Sequence, residues 1–404
     1  MSDLYQRIIE FNKGRLPEML QYKYGGMAEN IFRFYRGTCH LFYQDLVKVA
    51  DFPGSPVSWI TGDLHIENFG SYKGDNHLVY FDLNDYDEAI LAPCLWEVSR
   101  MTTSIFLAFE NLEIERVKAV KMAQQFIRNY SATLAKGKAV SLDPRTAKGI
   151  VCTFLTKVEE RKQKELLKKR TASKKHKIWL SLDHEKQFEL EKPLRQELSS
   201  HINEWIKTSS DGPYNFEVMD CVFRLAGTGS VGVKRYLFLL KSLNTKNKYL
   251  LLDMKQAMPS SLQPYVPVKQ PYWETEADRV IQIQQRMQNV SPALLGTTIF
   301  KGDSYGLQQM QPTEDSINFE AIKDQYRDIY QVIDDMALLT ASSQLRSTGR
   351  EGSAIADKLI GLGKNDDWHE ALLNYAEKYA RQVRKDYKEY VALYKKGKFG
   401  KIDV

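Results

Sequence analysis

The sequence predicts an α+β fold of two lobes, a mostly helical large lobe and a small antiparallel β-sheet lobe. Three observations carry this expectation. Apolar residues recur at helical spacing near both ends of the chain. Residues 216–258 switch to alternating, β-branched and aromatic runs. No internal period repeats, which argues against a solenoid.

The elements follow in chain order. Residues 1–50 read as helical, with Leu4, Ile8, Ile9 and Phe11 on one face and a long second pattern over Met27–Val49. Pro53, Gly54 and Pro56 break the chain. Two short β-prone runs, Val57–Thr61 and His77–Phe81, flank a loop rich in Gly, Asp and Asn, and helix returns from Trp96 to about Ala135. Residues 157–177 are dominated by Lys and Arg and predict a solvated helix and connector. FEVMDCVFRLA, VKRYLFLLKSL and KYLLLDMKQA predict three strands, the last two joined by a polar NTKNK turn. A Pro-rich loop over Pro259–Pro271, a helix over Thr275–Val290 and a strand at YGLQQMQ follow, and from Phe319 onward the chain reads as helix. The corresponding divisions are residues 1–210 and 316–404 for the helical lobe and 211–315 for the β lobe.

Composition excludes several classes. At 404 residues, length alone suggests two or three domains of roughly 100–200 residues each. Hydrophobic residues at 43% and charged residues at 27% exclude disorder as the main theme. Lys+Arg 57 against Asp+Glu 51 leaves +6, too mild to announce a nucleic-acid protein. No apolar stretch approaches a membrane span, and MSDLYQRIIEFNKGR places charges where a signal peptide needs its apolar core. Cys39, Cys94, Cys152 and Cys221 are far apart and read as reduced thiols, so a cytoplasmic protein is expected.

Four motifs point to chemistry. Gly62-Asp63-Leu64-His65-Ile66-Glu67-Asn68 is a tight loop with Asp and Asn five positions apart, and Asp82 follows Asn68 by fourteen positions at the end of the next β-prone run. A hairpin would bring Asn68 and Asp82 together, a donor pair suited to Mg²⁺ with substrate phosphates, while Asp63 could accept a hydrogen bond from a nucleophilic hydroxyl. Ordinary turn chemistry is the competing reading for such loops. Gly227, Thr228, Gly229, Ser230, Val231 and Gly232 form a GxGxxG followed by a strand, the arrangement that folds over nucleotide phosphates in kinase-like proteins. Lys255, near the end of the next strand, could reach those phosphates. Glu276 or Gln285 on the following helix could orient it. Asp253, two positions earlier on the same strand face, could instead tie Lys255 down as an ion pair. Asp85, Asp87 and Glu88 form an acidic turn, open to a second cation, a basic substrate or plain solvation. Arg36 could reach the site or pair with a buried carboxylate. Glu97 and Arg100, spaced i,i+3, are expected to pair with each other.

Together these motifs resemble the protein-kinase-like superfamily, and its aminoglycoside and choline phosphotransferase branch in particular. GDLHIEN is similar to that branch's catalytic loop, and VYFDLNDYDEA to its metal-binding strand. The resemblance implies Asp63 as catalytic Asp, Asn68 and Asp82 as Mg²⁺ ligands, Lys255 as the phosphate lysine, His65 as a structural loop residue, and ATP with Mg²⁺ as cofactors. The Gly loop and lysine follow the catalytic loop here instead of preceding it, which implies a circularly permuted kinase-like fold. FRFYRGTCHLFYQDL, WITGDLHIENFG, FDLNDYDEA, CLWEVSRM, RLAGTGSVGVKRYLFLL and RVIQIQQRMQ, in this order, resemble the uncharacterised bacterial family called domain of unknown function 2252. A phosphotransferase acting on an unknown hydroxyl acceptor is therefore expected. A non-catalytic nucleotide-binding scaffold and transfer of AMP are the alternatives, and nucleic-acid binding through 157–177 is disfavoured.

Overall fold

A computed structural model describes residues 3–400 apart from residues 176, 184 and 228. Thr228 of the Gly-rich loop therefore lies outside the described residues. The chain opens with helices α1 (Asp3–Phe11), α2 (Pro17–Glu29), α3 (Ile31–Gly37) and α4 (Cys39–Leu46). The long pattern expected over Met27–Val49 is thus broken twice. Asn30 caps α3, its side chain accepting from Arg33 N at 2.8 Å, which stops α2. Gly37 ends α3 where it meets Met27, since a Cβ there would lie 2.6 Å from Met27 Cγ.

Strands β1 (Val57–Ile60), β2 (Phe69–Lys73), β3 (Val79–Leu83) and β4 (Ile90–Pro93) follow. They form two antiparallel pairs, β1 with β4 and β2 with β3. The helix expected from Trp96 to Ala135 is two, α5 (Cys94–Asn111) and α6 (Arg116–Lys136), separated where Glu113 takes a positive φ of 58°. Next come α7 (Gly149–Glu159), α8 (Gln163–Arg170), the hairpin β5 (Thr171–Lys174)–β6 (Lys177–Leu180), a short β7 (Gln187–Phe188) and α9 (Lys192–Thr208). No residue of α8 is buried, in keeping with the solvated character of this basic segment.

The main sheet is built from β8 (Phe216–Arg224), β9 (Arg235–Ser242), β10 (Tyr249–Gln256), β11 (Gly296–Phe300) and β12 (Asp303–Met310), with α10 (Glu276–Met287) between β10 and β11. Its order is β11-β12-β10-β9-β8-β7, and all its pairings are antiparallel. Alternation along the strands sets its two faces. One face packs Phe223, Phe238, Leu252 and Met254 against Leu198, Ile202 and Trp205 of α9. The other packs Val222, Leu237, Leu239 and Leu251 against Leu180 and the edge of α8.

The chain closes with α11 (Phe319–Ile322), α12 (Tyr326–Arg346), α13 (Ala356–Lys364) and α14 (Asp367–Lys395). The large helical core draws on both ends of the sequence. Leu4 and Ile8 of α1 share it with α5, α6, α12 and Tyr390 of α14. In α14 Tyr375 and Tyr379 stack on each other, and Phe42 meets both edge-on. The result is a mixed α+β fold, a helical body beside a six-stranded sheet. All four cysteines are free. Among the described residues no helix is long and apolar enough to cross a membrane.

One partly buried carboxyl makes stability depend on pH. Burial, and then the charge of Asp334, push Asp335 on α12 up to about 7, and its Oδ2 has no hydrogen-bond partner among the described residues. A raised folded-state value means the folded chain holds this proton more tightly than the unfolded one. Its cost is absent below pH about 4, grows as pH rises, and is complete above about 7. Asp335→Asn is therefore expected to raise the urea midpoint at pH 8 and leave it unchanged at pH 3.5. An equal shift at both pH values would rule out titration as the cause.

Candidate active site

The loop between β1 and β2 carries Asp63 and Asn68. Gly62 starts it at φ 81°, and a Cβ there would collide with the Glu88 carbonyl, so only glycine lets the loop sit against the acidic turn. The β2–β3 register sets Gly70 opposite Asp82 and Phe69 opposite Leu83. Asn84 N donates to Asn68 O at 3.1 Å, so the hairpin does bring the loop end beside the residues after β3. Asn68 Nδ2 donates to Asp63 O at 2.6 Å, which leaves its Oδ1 available.

Asp63 is held by Arg100, whose Nε donates to Oδ1 at 2.8 Å and whose Nη2 also contacts Oδ1. Oδ2 is the oxygen that faces Gly229, 3.8 Å from where a Cβ on that glycine would stand. Arg100 is fully buried, its guanidinium 4.2 Å from the Tyr35 ring centre and 5.4 Å from that of Phe42. The expected Glu97–Arg100 pair is not made. Glu97 instead accepts from Thr61 N at 2.6 Å and from Gln344 Nε2 at 2.9 Å. Tertiary partners with buried donors outcompete the i,i+3 neighbour. Burial pushes Asp63 up to about 6, with Arg100 opposing the rise.

Of the two expected metal ligands, Asn68 lines the cleft, a cavity of about 310 Å³, together with Asn84, Asp85, Asp87, Gly227, Ser230 and Lys255. Asp82 does not line it. It is 3% exposed, faces Arg346 Nη1 at 3.5 Å, and is pushed up to about 6 by burial against the opposing charge of that arginine. Asp85 and Asp87 of the acidic turn share the cleft with Asn68, as do Glu67 and Asp253. Burial raises Asp85. For Asp87 burial works the same way, but Lys255 prevails and holds its carboxyl below the usual range. No group of three or more His, Cys, Asp or Glu among the described residues is arranged to hold a metal. A cation shared between one amide, one carboxylate and phosphate oxygens needs no such group.

The Gly-rich loop connects β8 and β9, with Gly227 at φ 75° and Gly232 at φ 92°. It lies across the acidic turn, and Ser230 Oγ donates to Asp87 Oδ2 at 3.1 Å. Two N-terminal cations hold its carbonyls. Arg15 Nη1 reaches Gly229 O at 2.9 Å and Val231 O at 2.7 Å, and the fully buried Lys23 reaches Gly229 O at 3.1 Å. A small cavity of about 50 Å³ remains beneath it, lined in part by Arg15, Arg36, Asp63, Asp85 and Glu88. Arg36 also pairs with Glu67 and contacts His65, a buried imidazole kept neutral by desolvation, so His65 acts as packing.

Lys255 points into the cleft, and its Nζ contacts Asp87 Oδ2. Neither expected orienting residue serves it. Glu276 pairs with Arg279 Nε at 2.6 Å, and Arg279 in turn holds the carbonyls of Asp87 and Met258, each at 2.9 Å. Gln285 faces solvent. Asp253 does not bind Lys255 either. It lies between Arg224 and Arg235, which overcome its burial and hold its carboxyl well below the usual range. Sequence reasoning missed Lys23, Arg15, the catch of Arg100 on Asp63, and the Asp87 partner of Lys255. None has a local signal, because each contact joins residues at least 37 positions apart.

A family model described as "uncharacterized protein conserved in bacteria (DUF2252)" matches residues 15–393. No curated protein and no solved structure matches the chain.

Proposed function

The chain belongs to this uncharacterized bacterial family, and we propose that it is a phosphotransferase with a circularly permuted, protein-kinase-like architecture. One observation carries the reading. Segments almost 170 positions apart converge on one carboxylate: Ser230 of the Gly-rich loop and Lys255 both contact Asp87, beside Asn68 and Asp85. The strand order supports it. A Gly-rich loop joins the first two strands of β8-β9-β10-β12-β11, the lysine is the last residue but one of the third, and α10 separates that strand from β11, the next strand along the chain. This is the layout the kinase resemblance calls for, placed in the middle of the chain.

In this reading the Gly-rich loop and Lys255 hold the nucleotide phosphates, and Asn68 with Asp85 holds Mg²⁺, with Asp82 behind them. The cation would neutralise charge on the phosphate oxygens. Asp63, its Oδ1 fixed by Arg100, presents Oδ2 to an acceptor hydroxyl and takes up its proton. Positioning and charge neutralisation supply most of the rate.

The test is direct. Mg-ATP or Mg-GTP is expected to raise the melting temperature, as any ligand of the native state does. Lys255→Ala is expected to remove most of that shift. No shift with either nucleotide at millimolar concentration would end this reading. A second reading, a nucleotide-binding scaffold without turnover, is favoured by the closeness of Gly229 to Asp63, which leaves only about 50 Å³ beneath the loop.

A further inference from the structure

Resting on the reading of this cleft as a nucleotide site, we propose that its base end selects a guanine nucleotide over ATP. The sheet face above the cleft changes character along its strands. It is apolar at Val222, Leu237, Leu239 and Leu251. Two residues further along β8, β9 and β10, on the same face, stand Arg224, Arg235 and Asp253, with Lys255 directly opposite Arg235. Arg224 Nη1 donates to Asp253 Oδ1 at 2.5 Å. Arg235 Nε donates to both carboxylate oxygens, at 3.1 Å and 2.9 Å, and its Nη2 lies 2.7 Å from Oδ2. Placing three charges on a partly buried sheet face costs desolvation, which apolar side chains there would avoid. A ligand that uses them accounts for their presence.

The geometry leaves donors over. Each guanidinium carries five N–H groups. The contacts with Asp253 engage one nitrogen of Arg224 and two of Arg235, and they saturate the carboxylate. Arg224, Arg235 and Asp253 all line a cavity of about 320 Å³ that adjoins the Lys255 cavity, with Arg235 and Asp253 common to both. The unspent donors therefore border the cleft.

Part of the main chain after β12 is already committed. Gln311 N donates to Glu314 Oε1 at 3.1 Å, Thr313 O accepts from Ser71 Oγ at 2.7 Å, and Asp315 O accepts from Ser71 N at 2.8 Å. Two glutamines on this cavity are also occupied, Gln284 Nε2 donating to Gln288 Oε1 at 3.1 Å and Gln288 Nε2 to Leu83 O at 2.8 Å, while Gln308 and Gln309 line it as well. Guanine offers two acceptors, O6 and N7, to guanidinium donors. Adenine opposes them with its own N6 donor.

The experiment titrates Mg-GTP, Mg-ATP and Mg with inorganic triphosphate into the full chain by calorimetry. GTP is expected to bind at least tenfold tighter than ATP, and triphosphate more weakly than GTP. The variant Arg235→Gln, which leaves Asp253 paired with Arg224, is expected to bring GTP down to the ATP level while lowering triphosphate binding less. ATP binding as tightly as GTP, or triphosphate matching GTP, overturns the base selection and leaves the nucleotide site standing. Binding of none of the three overturns the nucleotide site itself. The wild-type comparison decides the matter even where the variant does not fold.

Discussion

Asp63→Asn is expected to lower the rate of phosphoryl transfer by about 10²–10⁴-fold while nucleotide affinity stays within a few-fold of the parent. The reason lies in how Arg100 divides the two oxygens. Its Nε and Nη2 both address Oδ1, and Oδ2 faces the Gly-rich loop. An asparagine must turn its own oxygen toward the Arg100 donors. Its amide nitrogen then occupies the place of Oδ2, and a proton acceptor becomes a donor. The variant keeps the shape of the site and loses the group that receives the hydroxyl proton. Release of nucleoside diphosphate, measured beside binding of the same nucleotide, checks this split. An unchanged turnover rate with intact binding would favour the scaffold reading.

Arg100→Ala is expected to carry the largest stability loss, about 3–5 kcal/mol by urea unfolding, because it strands a buried carboxylate. Arg100 is wholly buried between Asp63 and the rings of Tyr35 and Phe42, and its Nη2 also reaches Tyr35 O at 3.4 Å. Losing it removes the counter-charge of Asp63 and opens a cavity in α5's packing. The double variant Arg100→Ala/Asp63→Ala is expected to recover part of the loss, since no charge is then left unpaired. A double variant no more stable than Arg100→Ala alone would show that packing, and not the stranded charge, sets the cost.

Much of the fold was legible in the chain. The run from Phe216 to Gln256 alternates strongly enough to announce β8, β9 and β10, and the polar NTKNK stretch marks the hairpin between the last two. Breaks inside helical patterns were harder. The stop at Asn30 depends on a cap, and the one at Gly37 on contact with Met27 ten positions earlier. Several strands, β2, β4, β7 and β11, are four or five residues or fewer and carry too few positions for alternation to stand out.

The candidate site divides in the same way. Asp63, Asn68, the Gly-rich loop and Lys255 were recognisable because each belongs to a short motif whose spacing is local. Their partners were not. Glu97 and Arg100 look like an i,i+3 pair, yet one turns to Thr61 and Gln344 and the other to Asp63. Lys255 looks toward the following helix, yet it meets Asp87 from a turn 168 positions earlier. By itself the sequence determined the elements, the motif residues and a family membership that spans residues 15–393, because propensity, periodicity and turn chemistry act over a few residues. Only the tertiary structure decided which carboxylates enter the cleft, which cation holds each, and that Arg224 and Arg235 close on Asp253. Charges choose partners by distance and burial after the chain has packed, and neither is written in their spacing along it.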